Sequence, residues 1–105
     1  MTEEQNRRYT PLKQAIDVLD EQLLNEIHAK QEQIAPVQEG SPGYLALNDQ
    51  LITLQKRRCD EPNRLTYHLI EQIVTETGMN WNEAVKRNND ARNLKGADWV
   101  RFILD

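Results

Sequence analysis

The residues best suited to chemistry include two histidines, and neither is placed in a known metal motif. His28 falls on the flank of the first predicted helix, and His68 lies three residues before Glu71. Either imidazole has the atoms to act as a base or a ligand, but neither has the spacing to other ligands that metal motifs require. We therefore interpret both histidines as structural.

A short acidic run is the second candidate. Asp17, Asp20 and Glu21 lie within one or two helical turns and have the oxygen atoms that a divalent cation binds. A helical metal site also needs a histidine or a carboxylate from a second helix at fixed spacing, which the surrounding sequence lacks. We interpret the run as a solvated acidic face, and no metal or other cofactor is predicted.

The single cysteine is the third candidate. Cys59 follows Lys56, Arg57 and Arg58, whose positive charges favour the reactive thiolate form. The sequence has no identifiable catalytic partner for it, no glycine-rich phosphate loop and no paired cysteines. We assign no catalytic residue and expect a protein that is not an enzyme.

Charge and composition limit the functions and the cellular locations that the sequence allows. The net charge is −4, with −5 in residues 1–54 and +1 in residues 55–105. The acidic half argues against a nucleic-acid binder that uses its whole surface, although the basic residues of the second half can form a local patch. One cysteine, no membrane-spanning apolar run and no signal-peptide core predict a cytoplasmic location.

The strongest structural pattern is a long amphipathic helix. Thr10 is predicted as its N-cap and Pro11 as its first residue, so that residues 1–9 form a flexible lead-in. Apolar residues then recur at steps of three, four or seven on one side: Leu12, Ile16, Leu19, Leu23, Ile27 and Ile34.

A second helix is predicted to run back along the first. Residues 36–43 are rich in proline and glycine, and Ser41 and Pro42 repeat the cap-then-proline signal. A short connection makes the two helices antiparallel. The predicted hairpin covers residues 10–61 and ends at a break near Pro62. A continuous helix is the alternative, because five residues fall at intervals of seven: Leu45, Ile52, Cys59, Thr66 and Ile73.

A compact helical part is predicted for residues 62–105. One helix covers Asn63–Thr77 and ends at Gly78, a second covers Trp81–Arg92 after the cap Asn80, and a third covers Leu94–Leu104. The fold class is therefore all-α, with about five helices in a single domain, 1–105. Two long helices leave more apolar surface than one hairpin covers, which predicts a homo-oligomer, most simply a homodimer.

Part of the first helix resembles the opening of the all-helical chorismate mutases. The similarity lies in Leu12–Leu24, LKQAIDVLDEQLL. The resemblance implies a long first helix in an intertwined dimer, and a dicarboxylate ligand held by basic residues that include Lys13 and Lys30. Pro36 ends the helix earlier than in that family. The function that this resemblance implies is a degenerate, chorismate-mutase-like helical ligand binder.

Residues 66–104 are similar to ubiquitin-associated domains in Gly78-Met79 and in Glu83-Ala84-Val85. They also fit a helix-turn-helix with Gly78 in the turn. The second helix of that motif has side chains suited to bases and phosphates, namely Lys86, Arg87, Asn88, Asn89 and Arg92. The alternative function is thus a nucleic-acid-binding regulator that uses residues 56–64 and 86–101.

The leading hypothesis is a small non-enzymatic module that binds another protein, such as an inhibitor, adaptor or regulator of bacterial or phage type, with no membrane partner. Trp81 is either an exposed anchor or a core residue packed on the preceding helix. Trp99, among apolar neighbours, is the better core candidate. The predicted partner-binding residues are Trp81, Lys86, Arg87, Arg92, Lys56, Arg57, Arg58 and Arg64.

Overall fold

A computed structural model describes residues 1–105 and consists of four α-helices without a β-strand. They are α1 (Glu3–Ile34), α2 (Pro42–Thr77), α3 (Trp81–Asp90) and α4 (Gly96–Leu104). The predicted all-α class is confirmed. The chain has four helices rather than about five, because the second and third predicted helices are one.

The helical hairpin is confirmed, and α1 and α2 pack antiparallel along their length. The start of α1 contacts the end of α2 through Arg8 and Glu76, and Lys30 near the end of α1 contacts Gln50. Ser41 caps α2 as predicted, since its side chain accepts a hydrogen bond from the Tyr44 amide at 3.2 Å. The cap and the following proline therefore start α2 where the sequence indicates.

The predicted start of α1 is wrong by eight residues, since the helix begins at Glu3 instead of Pro11. Thr2 caps the helix in a reciprocal capping box with Gln5, and Pro11 lies inside the helix instead of at its first position. Residues 3–9, expected to be a flexible lead-in, form the first turns, and Tyr9 is buried. The burial of Tyr9 helps to offset the loss of the backbone hydrogen bond that Pro11 cannot donate.

The predicted break at Pro62 is also wrong, because α2 continues through it. Pro62 and Thr66 are both buried on the side of α2 that meets the other helices. The Thr66 hydroxyl donates to the Pro62 carbonyl oxygen at 2.7 Å. Tertiary packing thus outweighs the local penalty of the proline. The alternative based on the seven-residue interval describes α2 correctly.

The C-terminal helices form a second layer over half of the hairpin. Helix α3 packs on α2, and α4 packs on α1. We call the covered part the base (residues 1–19 and 60–105) and the uncovered part the arm (residues 20–59). The largest core cluster lies in the base and contains Tyr9, Ile16, Leu69, Ile70, Ile73, Ala84, Ala91, Trp99, Val100 and Ile103.

The turns between the short helices follow local rules. Gly78 ends α2 with a φ of 73°, a conformation that favours glycine, and Asn80 caps α3 by accepting a hydrogen bond from the Glu83 amide at 3.1 Å. Helix α4 begins at Gly96, two residues later than predicted. The Asp17 carboxylate on α1 accepts the Gly96 N–H at 2.8 Å, so a residue distant in sequence determines where α4 starts.

The molecule is elongated. Its dimensions are 55 × 23 × 18 Å, and its radius of gyration is 17.6 Å, compared with about 13 Å for a compact chain of this length. Its accessible surface is 6982 Å², compared with about 6,100 Å² for a typical monomer of this mass. The surplus of about 900 Å² follows from the arm, which has only one helical layer.

Candidate interaction surfaces

The first surface is the front face of the arm, the side on which α3 and α4 cover the base. The seven-residue stripe of α2 runs along this side over its whole length. In the base, Thr66 and Ile73 are only 8% and 0% exposed, whereas Leu45 and Ile52 in the arm are 54% and 41% exposed. One continuous stripe is therefore covered in its second half and uncovered in its first half.

Helix α1 contributes to the same face. Asp17 contacts α4, and Leu24 and Gln31 follow at intervals of seven, so they lie on the same side of the helix. A cavity of about 350 Å³ opens between the two helices of the arm. It is lined by Ile27, Gln55 and Cys59 and by the charged pair Asp20 and Arg58. The apolar centre of the face is thus formed by exposed Leu45 and Ile52.

Uncharged side chains lie on the inner side of this apolar centre, and charged side chains lie on its outer side. On α2, Asn48 and Gln55 lie next to Ile52 on the side toward α1, and Asp49 and Lys56 lie next to it on the outer side. Further along the face, Asp20 and Arg58 form an ion pair at 3.1 Å at the end of the arm nearest the base. An apolar centre with a polar, solvent-accessible rim is typical of a protein interface.

A cleft of about 220 Å³, the junction cleft, lies where the arm meets the base. Two of its acidic side chains are already paired, Asp17 with Lys13 at 2.7 Å and Asp20 with Arg58. The cleft is also lined by Arg92 and Lys95, and neither forms an ion pair with a carboxylate. The junction cleft therefore has a surplus of positive charge.

The tip of the arm has the opposite charge. Residues 25–50 contain four acidic side chains, Glu26, Glu32, Glu39 and Asp49, and one basic side chain, Lys30. The Lys30 ammonium group donates hydrogen bonds to Gln33 and Gln50, not to a carboxylate. At 1.5 Å per residue, the tip lies about 25 Å from the junction cleft along α1.

A second apolar surface, the back groove, lies on the side of the base that α3 and α4 leave free. It has a volume of about 300 Å³, and exposed Leu12 and Leu65 face each other across it. The remaining lining residues are Ala15, Ile16, His68, Leu69 and Gln72. His68 is thus exposed at an apolar surface, and no acidic side chain lines the groove with it.

The two tryptophans differ as follows. Trp99 is 1% exposed, which confirms it as a core residue, and its indole N–H donates to the Asn88 side chain at 3.0 Å. Trp81 is 42% exposed, and its ring centroid lies 6.3 Å from that of Tyr67. An exposed tryptophan is consistent with an anchor, but whether it binds a partner stays a prediction.

The structure does not gather the predicted basic rim around Trp81. Arg87 donates to Glu83 at 3.2 Å and to the Ile103 carbonyl oxygen at 2.9 Å, so it ties α3 to α4. Arg92 lines the junction cleft. Of the three predicted rim residues, Lys86 and Arg92 are exposed and form no ion pair, and only Arg87 is paired.

The basic residues of α2 do not form one patch. Lys56, Arg57 and Arg58 are consecutive in a helix, so their side chains point about 100° apart. Arg57 pairs with Glu61 at 3.4 Å, and Arg58 pairs with Asp20. Arg64 is exposed and without an ion pair.

The candidate metal and thiol residues stay separate. Asp17 and Asp20 are engaged by Lys13 and Arg58, while Glu21 is exposed. No group of three or more histidine, cysteine, aspartate or glutamate side chains is arranged to hold a metal ion. Cys59 is free and exposed.

One polar cluster joins the ends of the hairpin and was missed by sequence reasoning. Arg8 Nε and the Tyr9 hydroxyl donate to Glu76 Oε1 at 2.8 and 2.9 Å. The hydrogen bond from Arg8 is the main cause that lowers the pKa of Glu76 to about 2. Burial, more than the bond to Glu76, raises the pKa of Tyr9. Tyr9 lies seven residues before Ile16, and this spacing was the available signal.

The residues implied by the resemblance to chorismate mutases are far apart within one chain. Lys13 is buried beside Asp17, and its ammonium nitrogen lies 5.2 Å from the Trp99 ring centroid. Lys30 lies 17 residues further along α1, a separation of about 25 Å. No single cavity of the chain contains both.

Comparison of the chain with protein-family models, curated proteins and solved structures finds no match. None of the four helices has the length and apolarity needed to span a membrane.

Proposed function

We propose that this chain is a small non-enzymatic protein-binding module, of the inhibitor, adaptor or regulator type, which acts through its helical surfaces. The observation that supports this function is the uncovered front face of the arm, where the α2 stripe continues beyond α3 and α4. The partner that binds this face is a polypeptide. It supplies a second helical layer over the arm, in the position that α3 and α4 take over the base.

The energetic reason is the burial of the exposed apolar side chains of the front face. Leu45 and Ile52 are exposed, and the neighbouring charges of Asp49 and Lys56 lie on the outer side of α2, where the rim of an interface stays in contact with water. Apolar burial contributes about 25 cal/mol per Å², and a stable interface buries about 800 Å² on each partner. The surplus surface of the chain is of that size.

The test uses the full-length chain on beads as wild type and as two variants. Ile52→Asp places a charge at the centre of the front face. Val18→Asp is the matched control, because Val18 is exposed on α1 outside the described surfaces. Host proteins retained by wild type and control but not by Ile52→Asp are identified by mass spectrometry, purified and measured by calorimetry.

We expect at least one purified polypeptide, with the chain itself included among the candidates, to bind wild type and control alike and Ile52→Asp about 100-fold more weakly. If no polypeptide discriminates between the two variants, the proposed function is wrong.

A further inference from the structure

The arm lacks a second helical layer, and the arm of another copy has the dimensions needed to supply one. In the base, two helices lie on the front of the hairpin and complete a two-layer, four-helix arrangement. The arm provides two helices of its own and has room for two more. A helix pair that reaches from the junction cleft to the tip needs a length of about 25 Å, and the arm itself is such a pair.

The charges match only if the two arms run in opposite directions. The tip carries surplus negative charge, with Glu32 and Glu39 near the turn, and the junction cleft carries surplus positive charge from Arg92 and Lys95. An antiparallel arrangement places the tip of each arm against the junction cleft of the other chain. A parallel one places tip against tip, which brings like charges together.

The surface area is sufficient for a stable dimer. The chain exposes about 900 Å² more than a typical monomer of its mass, and a standard interface buries about 800 Å² per partner. Covering one arm with another therefore restores a typical ratio of surface to mass.

We infer that the front face of the arm binds the arm of a second copy of this chain, antiparallel about a two-fold axis that passes near Ile52. This inference rests on the proposed function, and it names the partner for the same face. A two-fold axis midway between the tip and the junction cleft brings Ile52 of both copies together. Each copy then contributes Glu32 and Glu39 to the junction cleft of the other.

The first test measures mass and affinity by analytical ultracentrifugation. The wild type is expected to sediment at micromolar concentration with twice the mass of the 12.3 kDa chain. Ile52→Asp is expected to weaken dimerisation about 100-fold, because two charges then meet in an apolar centre. Val18→Asp should dimerise like wild type. Thermal melting of each variant verifies that it is folded.

The second test exchanges charges between two chains. One variant combines Arg92→Glu with Lys95→Glu, which makes both junction cleft and tip acidic. The other combines Glu32→Lys with Glu39→Lys, which makes both basic. Each alone should dimerise at least about 10-fold more weakly, and a mixture of the two should form a heterodimer at near wild-type affinity. A role of these residues within one chain is not restored by mixing.

The outcomes separate the two proposals. A chain that stays monomeric, a dimer that Ile52→Asp leaves intact, or a mixture no tighter than its separate variants overturns the antiparallel dimer. If the chain is monomeric but another purified protein binds in an Ile52-dependent way, the proposed function stands and only this inference is wrong. If neither binds, both are wrong.

Discussion

At the scale of single residues, the two tryptophans provide an internal comparison. Trp99 lies in the main core cluster, and its indole nitrogen is hydrogen-bonded, whereas Trp81 is 42% exposed and contacts Tyr67. Trp99→Ala is expected to lower the free energy of unfolding by about 3–5 kcal/mol, and Trp81→Ala by about 1–2 kcal/mol. Urea denaturation measures both. Equal losses would show that Trp81 is as much a core residue as Trp99.

The Glu76 cluster predicts a pH dependence. The folded-state pKa of Glu76 is about 2, below the ordinary value of 4.5. Its stabilising effect is therefore complete above about pH 4.5 and is lost as the pH falls toward 2. Glu76→Gln should melt at a lower temperature than wild type at neutral pH, and this difference should disappear near pH 2.

The matched control for this prediction is Glu71→Gln. Glu71 is exposed on the same helix and forms no ion pair. Its substitution should change the melting temperature little across the same range. If the difference in melting temperature between Glu76→Gln and wild type stayed constant from neutral pH to pH 2, the stabilising role of the contact between Arg8 and Glu76 would be wrong.

Residues whose role is local were predictable, and those that act across the chain were not. Gly78 and Asn80 were identified because a left-handed turn and a helix cap depend on adjacent residues. Asp17 was interpreted as part of a solvated face. Its contacts with Lys13 and with the Gly96 amide bring together residues 79 positions apart, and no local pattern indicates such a contact.

At the scale of helices, the pattern of a cap residue followed by proline marks a helix start at one place but not at another. Ser41 and Pro42 start a helix, whereas Thr10 and Pro11 lie inside one. The difference lies in what precedes them. The turn before Ser41 contains Pro36 and Gly40, but the residues before Thr10 have their own capping box and bury Tyr9. Burial therefore outweighs the helix-breaking tendency of proline, both here and at Pro62.

The internal position of Pro11 leads to a stability prediction. Pro11 is exposed, so its ring contributes little packing, while it removes one backbone hydrogen bond from α1. Pro11→Ala is expected to raise the free energy of unfolding by about 1–3 kcal/mol. Pro62→Ala should raise the free energy of unfolding less, because Pro62 is buried and the substitution removes the packing contacts of its ring. A loss of stability in Pro11→Ala, measured by urea denaturation, would contradict this explanation.

At the scale of the whole molecule, the distribution of charge argues against strong binding to nucleic acid. Three of the predicted contact residues, Arg57, Arg58 and Arg87, are paired with acidic side chains, and the net charge is −4. We expect weak or no binding to duplex DNA at physiological salt, measured by fluorescence anisotropy. Any binding at low salt should decrease steeply as salt is added. Sequence-specific nanomolar binding at physiological salt would favour the nucleic-acid-binding alternative.

The uneven covering of α2 also has a consequence for its dynamics. Leu69 and Ile73 belong to the buried cluster of the base. Leu45 and Ile52 are exposed and lie in a segment that packs on only one other helix. One uninterrupted helix should therefore exchange its amide hydrogens in two regimes, because the arm can open while the base stays folded. If a second copy covers the arm, exchange there should slow as protein concentration increases, while exchange in the base stays the same.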